Sequence, residues 1–217
     1  MLITLCGGEG AGKSTQVKRL SEALKGRGFS VVCTREPGGT AIGRKIRALL
    51  LDPENREMTG ETELFLYAAD RCQHLGEVVR PALAAGRIVI SDRFADSTTV
   101  YQGVARGLDP RRIRNVHALV LEGLKPDITF LLDLPPEKGL ARALAEVGTG
   151  GRPGDETRFE KESLVFHQKI REGFLALAVE EKDRFCLLDA LEPVETLTQK
   201  MLEICLALLE KKKKERP

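Results

Sequence analysis

A chain of 217 residues, 42% hydrophobic and 30% charged, carries enough apolar material for a full core and reads as a soluble globular protein. Its net charge is +2, and setting aside Lys211 to Lys214 leaves 30 basic against 32 acidic residues, so the body is near neutral; this excludes a nucleic-acid-binding surface, and no apolar run approaches the ~20 residues of a membrane helix. The five cysteines are scattered without a C-x-x-C pair, which excludes a zinc or disulfide framework and points to a reducing cytoplasm, and no signal-peptide pattern opens the chain.

Leu2 to Cys6 is a short apolar run that predicts a buried strand. From Gly7 the chain matches G-x-x-x-x-G-K-[ST], with Gly7, Gly12, Lys13 and Ser14 at the fixed positions. Beyond Ser14 the pattern turns helical: Val17, Leu20 and Leu24 share a face, and Gly26 and Gly28 end it. An ordinary glycine-rich turn rarely matches this motif with both flanks in place. Small residues let consecutive N–H groups turn inward around an oxyanion, and the helix N-terminus adds a favourable dipole. Lys13 reaches the outer phosphates and the Ser14 hydroxyl ligates magnesium. No G-x-G-x-x-G register fits, so a dinucleotide fingerprint is excluded. The predicted nucleoside-triphosphate site is Gly7, Gly8, Glu9, Gly10, Ala11, Gly12, Lys13, Ser14 and Thr15.

Phe29 to Thr34 predicts a second strand, followed by the irregular Arg35-Glu36-Pro37-Gly38-Gly39-Thr40. Ile42 to Leu51 is a short amphipathic helix broken by Asp52-Pro53, and Glu61 to Ala85 a long one with Pro81 near its end. Arg87 to Arg93 is a third strand; apolar or small residues before Asp92 give it a Walker-B arrangement. Residues 96–106 and 110–123 read as helices, Ile128 to Leu134 as a fourth strand, and Pro136 opens another helix. Val147 to Asp155 holds five poor helix formers and predicts a mobile loop. A long helix over Arg158 to Glu180, a strand over Arg184 to Leu188 and a helix over Val194 to Glu210 close the chain.

This alternation predicts an α/β protein of the P-loop NTPase fold: a five-stranded parallel sheet covered by helices on both faces, with a small mobile lid. One domain spans 1–217, with the lid inserted at about 142–158. Ligands gather outside the carboxyl ends of such strands, where Gly7, Arg35, Asp92 and Asp133 all lie. The guanine-reading Asn-Lys-x-Asp of a G protein is missing, which leaves a compact phosphotransferase.

From Leu2 to about Leu209 the chain resembles the bacterial thymidylate kinases. The resemblance rests on Gly7 to Thr15, on Thr34-Arg35-Glu36-Pro37-Gly38-Gly39-Thr40, on Tyr67-Ala68-Ala69-Asp70-Arg71, on Ser91-Asp92-Arg93-Phe94 with Tyr101-Gln102-Gly103, and on Arg158-Phe159-Glu160. It implies conversion of ATP and dTMP to ADP and dTDP with magnesium, in a homodimer; composition adds the expectation of a cytoplasmic chain that binds neither nucleic acid nor membrane. The nucleophile of that reaction is an ionised phosphate oxygen, so catalysis reduces to positioning and charge neutralisation; arginine-rich segments without a nucleophilic Cys or His fit this.

By resemblance, Glu9 accepts from the sugar 3′-hydroxyl, Tyr67 stacks on thymine, Arg71 hydrogen-bonds the base, and Thr98 and Gln102 contact its edge. Arg47 and Arg93 hold the acceptor phosphate, Tyr101 lies against the sugar at C2′, and Asp92 holds magnesium through water beside Ser14. Glu36-Pro37 shapes the acceptor pocket. Some members carry a catalytic arginine in the P-loop, whereas positions 8 to 11 here are Gly, Glu, Gly and Ala; the resemblance therefore moves that charge to Arg142, Arg152 or Arg158 of the lid. Two other readings stay open: another nucleoside monophosphate or deoxynucleoside kinase, and a nucleotide-binding switch without an acceptor.

Overall fold

The structure, a computed structural model, describes residues 1–148 and 156–214. Five strands, β1 (Leu2–Cys6), β2 (Val31–Arg35), β3 (Ile88–Asp92), β4 (Ile128–Asp133) and β5 (Phe185–Asp189), form an all-parallel sheet in the order β2-β3-β1-β4-β5. Helices cover both faces, so the central strands are apolar on both sides. Ile3 and Leu5 of β1, Ile90 of β3, and Phe130 and Leu132 of β4 pack with Leu20 and Leu24 of α1 (Lys13–Lys25) and Met201 of α9 (Val194–Lys214). Alternate residues point the other way. Cys6 and Leu131 meet Phe166, Ile170 and Phe174 of α8 (Leu164–Glu180), and Leu2 and Val89 meet Leu75, Val79 and Phe94.

The remaining helices are α2 (Ala41–Leu51), α3 (Gly60–His74), α4 (Arg80–Ala84), α5 (Ala95–Thr98), α6 (Pro110–Leu121) and α7 (Pro136–Gly148). Thr40 and Thr59 cap α2 and α3 by accepting from the N–H groups of Gly43 and Thr62, and Pro110 opens α6 behind the Asp109 cap.

Three helix expectations change. The helix predicted from Glu61 to Ala85 widens into a π segment at Leu75–Val79, where the Arg80 N–H bonds back to Leu75, before α4 resumes around Pro81, which has no N–H to give. The helix predicted over 96–106 is α5 followed by a second π segment, Thr99–Ala105, which carries Tyr101 and Gln102. The helix predicted from Arg158 begins only at Leu164, where the Ser163 hydroxyl accepts from the Phe166 N–H; residues 158–162 form turns. Residues 149–155, most of the predicted mobile loop, lie outside the described residues.

Candidate active site

The loop from Gly7 to Gly12 joins β1 to α1, and Gly7, Gly10 and Gly12 all have positive φ. Two of these glycines are also forced by space. A Cβ on Gly7 would stand 2.4 Å from the Leu132 carbonyl oxygen, and one on Gly10 would stand 2.1 Å from that of Gly139. The loop therefore lies backbone against backbone on the end of β4 and the start of α7. Lys13 folds its ammonium onto the carbonyls of Gly8 (2.6 Å) and Gly7 (3.3 Å). Burial, reinforced by the charge of Arg93, lowers its pKa to about 8 against the opposing pull of Glu9 and Asp92. Beside it the Ser14 hydroxyl donates to Asp92 Oδ2 at 2.6 Å.

A cleft of about 400 Å³ runs from this loop across the carboxyl ends of β2 and β3. It is lined by Glu9 to Thr15, by Glu36, Pro37 and Arg47, by Tyr67 and Arg71 of α3, by Asp92 and Arg93, and by Thr98, Tyr101 and Gln102. Three of the arginines that line it, Arg71, Arg93 and Arg47, are each held by an acid. Arg71, 2% exposed, gives Nε to Glu36 (2.7 Å) and Nη2 to Thr98 Oγ1 (3.0 Å), and its guanidinium lies over the Phe94 ring. Burial alone would raise the Glu36 carboxyl, but Arg71 and the His74 hydrogen bond at 2.8 Å hold it below the ordinary value. Arg71 Nη1 is buried and has no partner among the described residues.

Arg93 sits at φ 70° and donates from Nη2 to both oxygens of Glu9 (3.0 Å each) and from Nη1 to the Gly7 carbonyl. Tyr101 donates to Glu9 Oε1 at 2.6 Å, and its ring packs edge-on to Phe159 and Phe174. Arg47 grips Glu156 with a fork, Nε to both carboxylate oxygens (3.0 Å) and Nη2 to one (2.7 Å). Arg35 lies close by, and burial together with the charge of Arg47 lowers its pKa; guanidiniums crowded this way favour an anion between them.

Gly7 and Gly8 turn their carbonyls onto Lys13. Glu36 and Thr98 line the cleft and also hold Arg71 in its orientation. Asp133 is tied off by Arg171 through two bonds of 2.7 and 2.8 Å and leaves the cleft. Among the lid arginines, Arg142 is exposed, with its guanidinium on the Ala190 carbonyl at 3.3 Å. Arg158 is 7% exposed and bonded to Glu63 (2.6 Å) and the Leu50 carbonyl, so the structure corrects its expected place on a helix facing the phosphates. Arg152 lies outside the described residues.

The sequence reading passed over Ser97, Glu63 and Glu156. Ser97 lines the cleft with a buried Oγ that has no partner among the described residues. Its signal was available, because it precedes Thr98 on the helix that follows the Asp-Arg pair. Glu63 reads as an ordinary acid in a helix first turn, and Glu156 as one more charge beside a loop; only tertiary structure distinguishes them.

A triphosphate cradle opening into a second pocket with an aromatic wall and several arginines defines a P-loop phosphotransferase. The family model described as thymidylate kinase matches residues 6–201. A thymidylate kinase from Desulfosudis oleivorans is 52% identical over 202 residues, covering 93% of this chain and 94% of that one. One from Desulforapulum autotrophicum is 55% identical over 190 residues, covering 88% and 84%. The crystal structure of thymidylate kinase from Ehrlichia chaffeensis superposes with a TM-score of 0.74 at 29% identity, covering 95% of this chain and 98% of that one. The chain belongs to the thymidylate kinase family.

Proposed function

We propose that this chain transfers the terminal phosphoryl group of ATP to the phosphate of dTMP, giving ADP and dTDP by direct in-line transfer. The observation that carries the reading is Arg71. It is a buried guanidinium fixed by Glu36 and Thr98, with its Nη1 group left for a ligand in a cleft continuous with the P-loop. A buried donor without a partner is costly, and a base carbonyl relieves it. Tyr67, one helical turn before Arg71 and on the same face, offers an aromatic surface for that base.

In this reading Gly7 to Thr15 wrap the triphosphate, with Lys13 leaving the Gly7 and Gly8 carbonyls for the phosphoryl oxygens as charge builds on them. Arg93 and Arg47, with Arg35 beside them, take the acceptor phosphate. Arg93 then releases Glu9, whose carboxylate accepts from the sugar hydroxyl while Tyr101 keeps it in place. The Ser14 hydroxyl and the Asp92 carboxylate, 2.6 Å apart at the helix start, are hard oxygen donors that fit magnesium and would hold it. The ion would supply charge neutralisation for the phosphoryl transfer. Arg142 and Arg152 remain the proposed lid arginines of a segment at about 142–158 inserted in a single domain.

We extend the reading to a cytoplasmic homodimer. Five free cysteines support the compartment, and Leu49, Phe65 and Leu119, exposed on the neighbouring helices α2, α3 and α6, offer apolar surface for pairing. Among the described residues no helix is long and apolar enough to cross a membrane.

A coupled ADP-release assay with Mg-ATP across dTMP, dUMP, dCMP, dGMP and AMP tests the function. Turnover should be greatest with dTMP; robust turnover with AMP or dGMP and none with dTMP overturns the reading, and hydrolysis indifferent to every monophosphate makes the chain a switch.

A further inference from the structure

Behind the cleft lies a buried carboxylate that the proposed reaction does not use. Glu63, in the first turn of α3, is 1% exposed. Its Oε2 accepts from Arg158 Nη2 at 2.6 Å and Arg106 Nη2 at 3.3 Å, and its Oε1 from Arg106 Nε at 3.4 Å. One further donor reaches Oε1: the side-chain amide of Gln102, at 2.7 Å.

That last bond settles which way the amide points. A carboxylate already held by two guanidiniums offers only acceptors, so Gln102 must turn its –NH2 toward it. The carbonyl Oε1 then lies on the opposite side of the amide. Gln102 lines the cleft, and among the described residues no donor reaches this oxygen. Arg71 lines the same cleft, and its buried Nη1 has no partner among the described residues. The base pocket thus carries one fixed donor and one fixed acceptor, both without partners among the described residues.

A pyrimidine with a 4-oxo group beside a ring N–H presents an acceptor and a donor in adjacent positions and satisfies both groups. Cytosine presents a 4-amino donor and an unprotonated ring nitrogen, the reverse pair. It would set two donors at Arg71 and two acceptors at Gln102. A pocket whose buried polar groups are stranded by the wrong ligand discriminates strongly.

We propose that Glu63 is a positioning residue for base selection: by locking the Gln102 amide it turns Oε1 into the cleft and makes the site read a ring N–H. The proposal rests on the dTMP reading above. Replacing the carboxylate by an amide removes the lock, because a glutamine at 63 offers either an acceptor or a donor and so allows the Gln102 amide to flip.

The test is kcat/KM for dTMP, dUMP and dCMP in Glu63→Gln. The ratio of dTMP to dCMP should fall at least about tenfold, while the ratio of dTMP to dUMP, which share the same edge, should hold within about twofold. Arg106→Gln serves as the structural comparison. It removes the Arg106 pairs to Glu63 and Glu162, so it should lower the melting temperature yet leave the dTMP to dCMP ratio in place. An unchanged ratio in folded Glu63→Gln overturns the proposal, as does an equal fall in Arg106→Gln. Should Glu63→Gln not fold, Gln102→Leu carries the test, because it leaves Glu63 with both arginines; there an unchanged ratio overturns the proposal. A wild-type chain that fails to phosphorylate dTMP overturns the underlying reading instead.

Discussion

Lys13 shows how the site prepares for charge. Its ammonium is buried among loop carbonyls and close to Arg93, which is why its pKa falls to about 8. Bound phosphates favour the ammonium and push that pKa back up. ATP affinity should therefore be level below about pH 7 and weaken as pH rises through about 8, by up to ~10-fold per unit, with one proton taken up on binding. Calorimetry at pH 9 in two buffers of different ionisation enthalpy measures that proton, and a buffer-independent heat contradicts the assignment. The same lowered pKa costs the free fold stability at neutral pH. The unfolded lysine keeps its proton to about pH 10.5, so this cost is relieved as pH climbs from about 8 toward 10.5. Lys13 itself was plain in the sequence, because a lysine after Gly12 between a strand and a helix has one established use. Its burial was not, since nothing local announces it.

At the scale of elements, the stretch before α8 separates what patterning reveals from what it hides. β1, its loop and α1 were legible almost to the residue, because an apolar run, a fixed glycine spacing and a helical stripe agree. The start of α8 was misplaced by six residues. Phe159 continues the apolar rhythm of the helix, but it belongs to a turn, and the Ser163 cap was the better signal. With that correction Arg158 becomes a strut. It joins this turn to α3 through Glu63 and to α2 through the Leu50 carbonyl. Arg158→Ala leaves a buried carboxylate short of a partner, and should lower stability by about 3 kcal/mol while turnover of the folded fraction stays within a few-fold. Denaturant unfolding alongside steady-state assays checks this; a loss of kcat by orders of magnitude with unchanged stability would return Arg158 to the chemistry. The π segment carrying Tyr101 and Gln102 was equally hidden, because an extra residue in a helical turn leaves the apolar spacing nearly intact.

Across the whole molecule, the five-stranded parallel sheet and its two helical layers followed from the alternation of elements, whereas the order of the strands did not. The convergence of strand ends was legible too, for Arg35 and Asp92 though not for Asp133. What sequence hides at this scale is pairing between distant segments, and the fork between Arg47 and Glu156 is such a pair. It means that an acceptor phosphate arriving at Arg47 meets no bare cation: one anion is exchanged for another. Affinity for dTMP is then a difference between two similar attractions, and its dependence on ionic strength should be shallow. Glu156→Gln removes the resident charge. KM for dTMP should drop roughly fivefold, the worth of about 1 kcal/mol for a partly exposed pair, and should climb more steeply with added salt than in the wild type. Identical salt slopes in the two proteins would mean that the carboxylate and the phosphate never compete. Where they do, the chain carries its own weak competitor, and tolerance of salt is what that competitor confers.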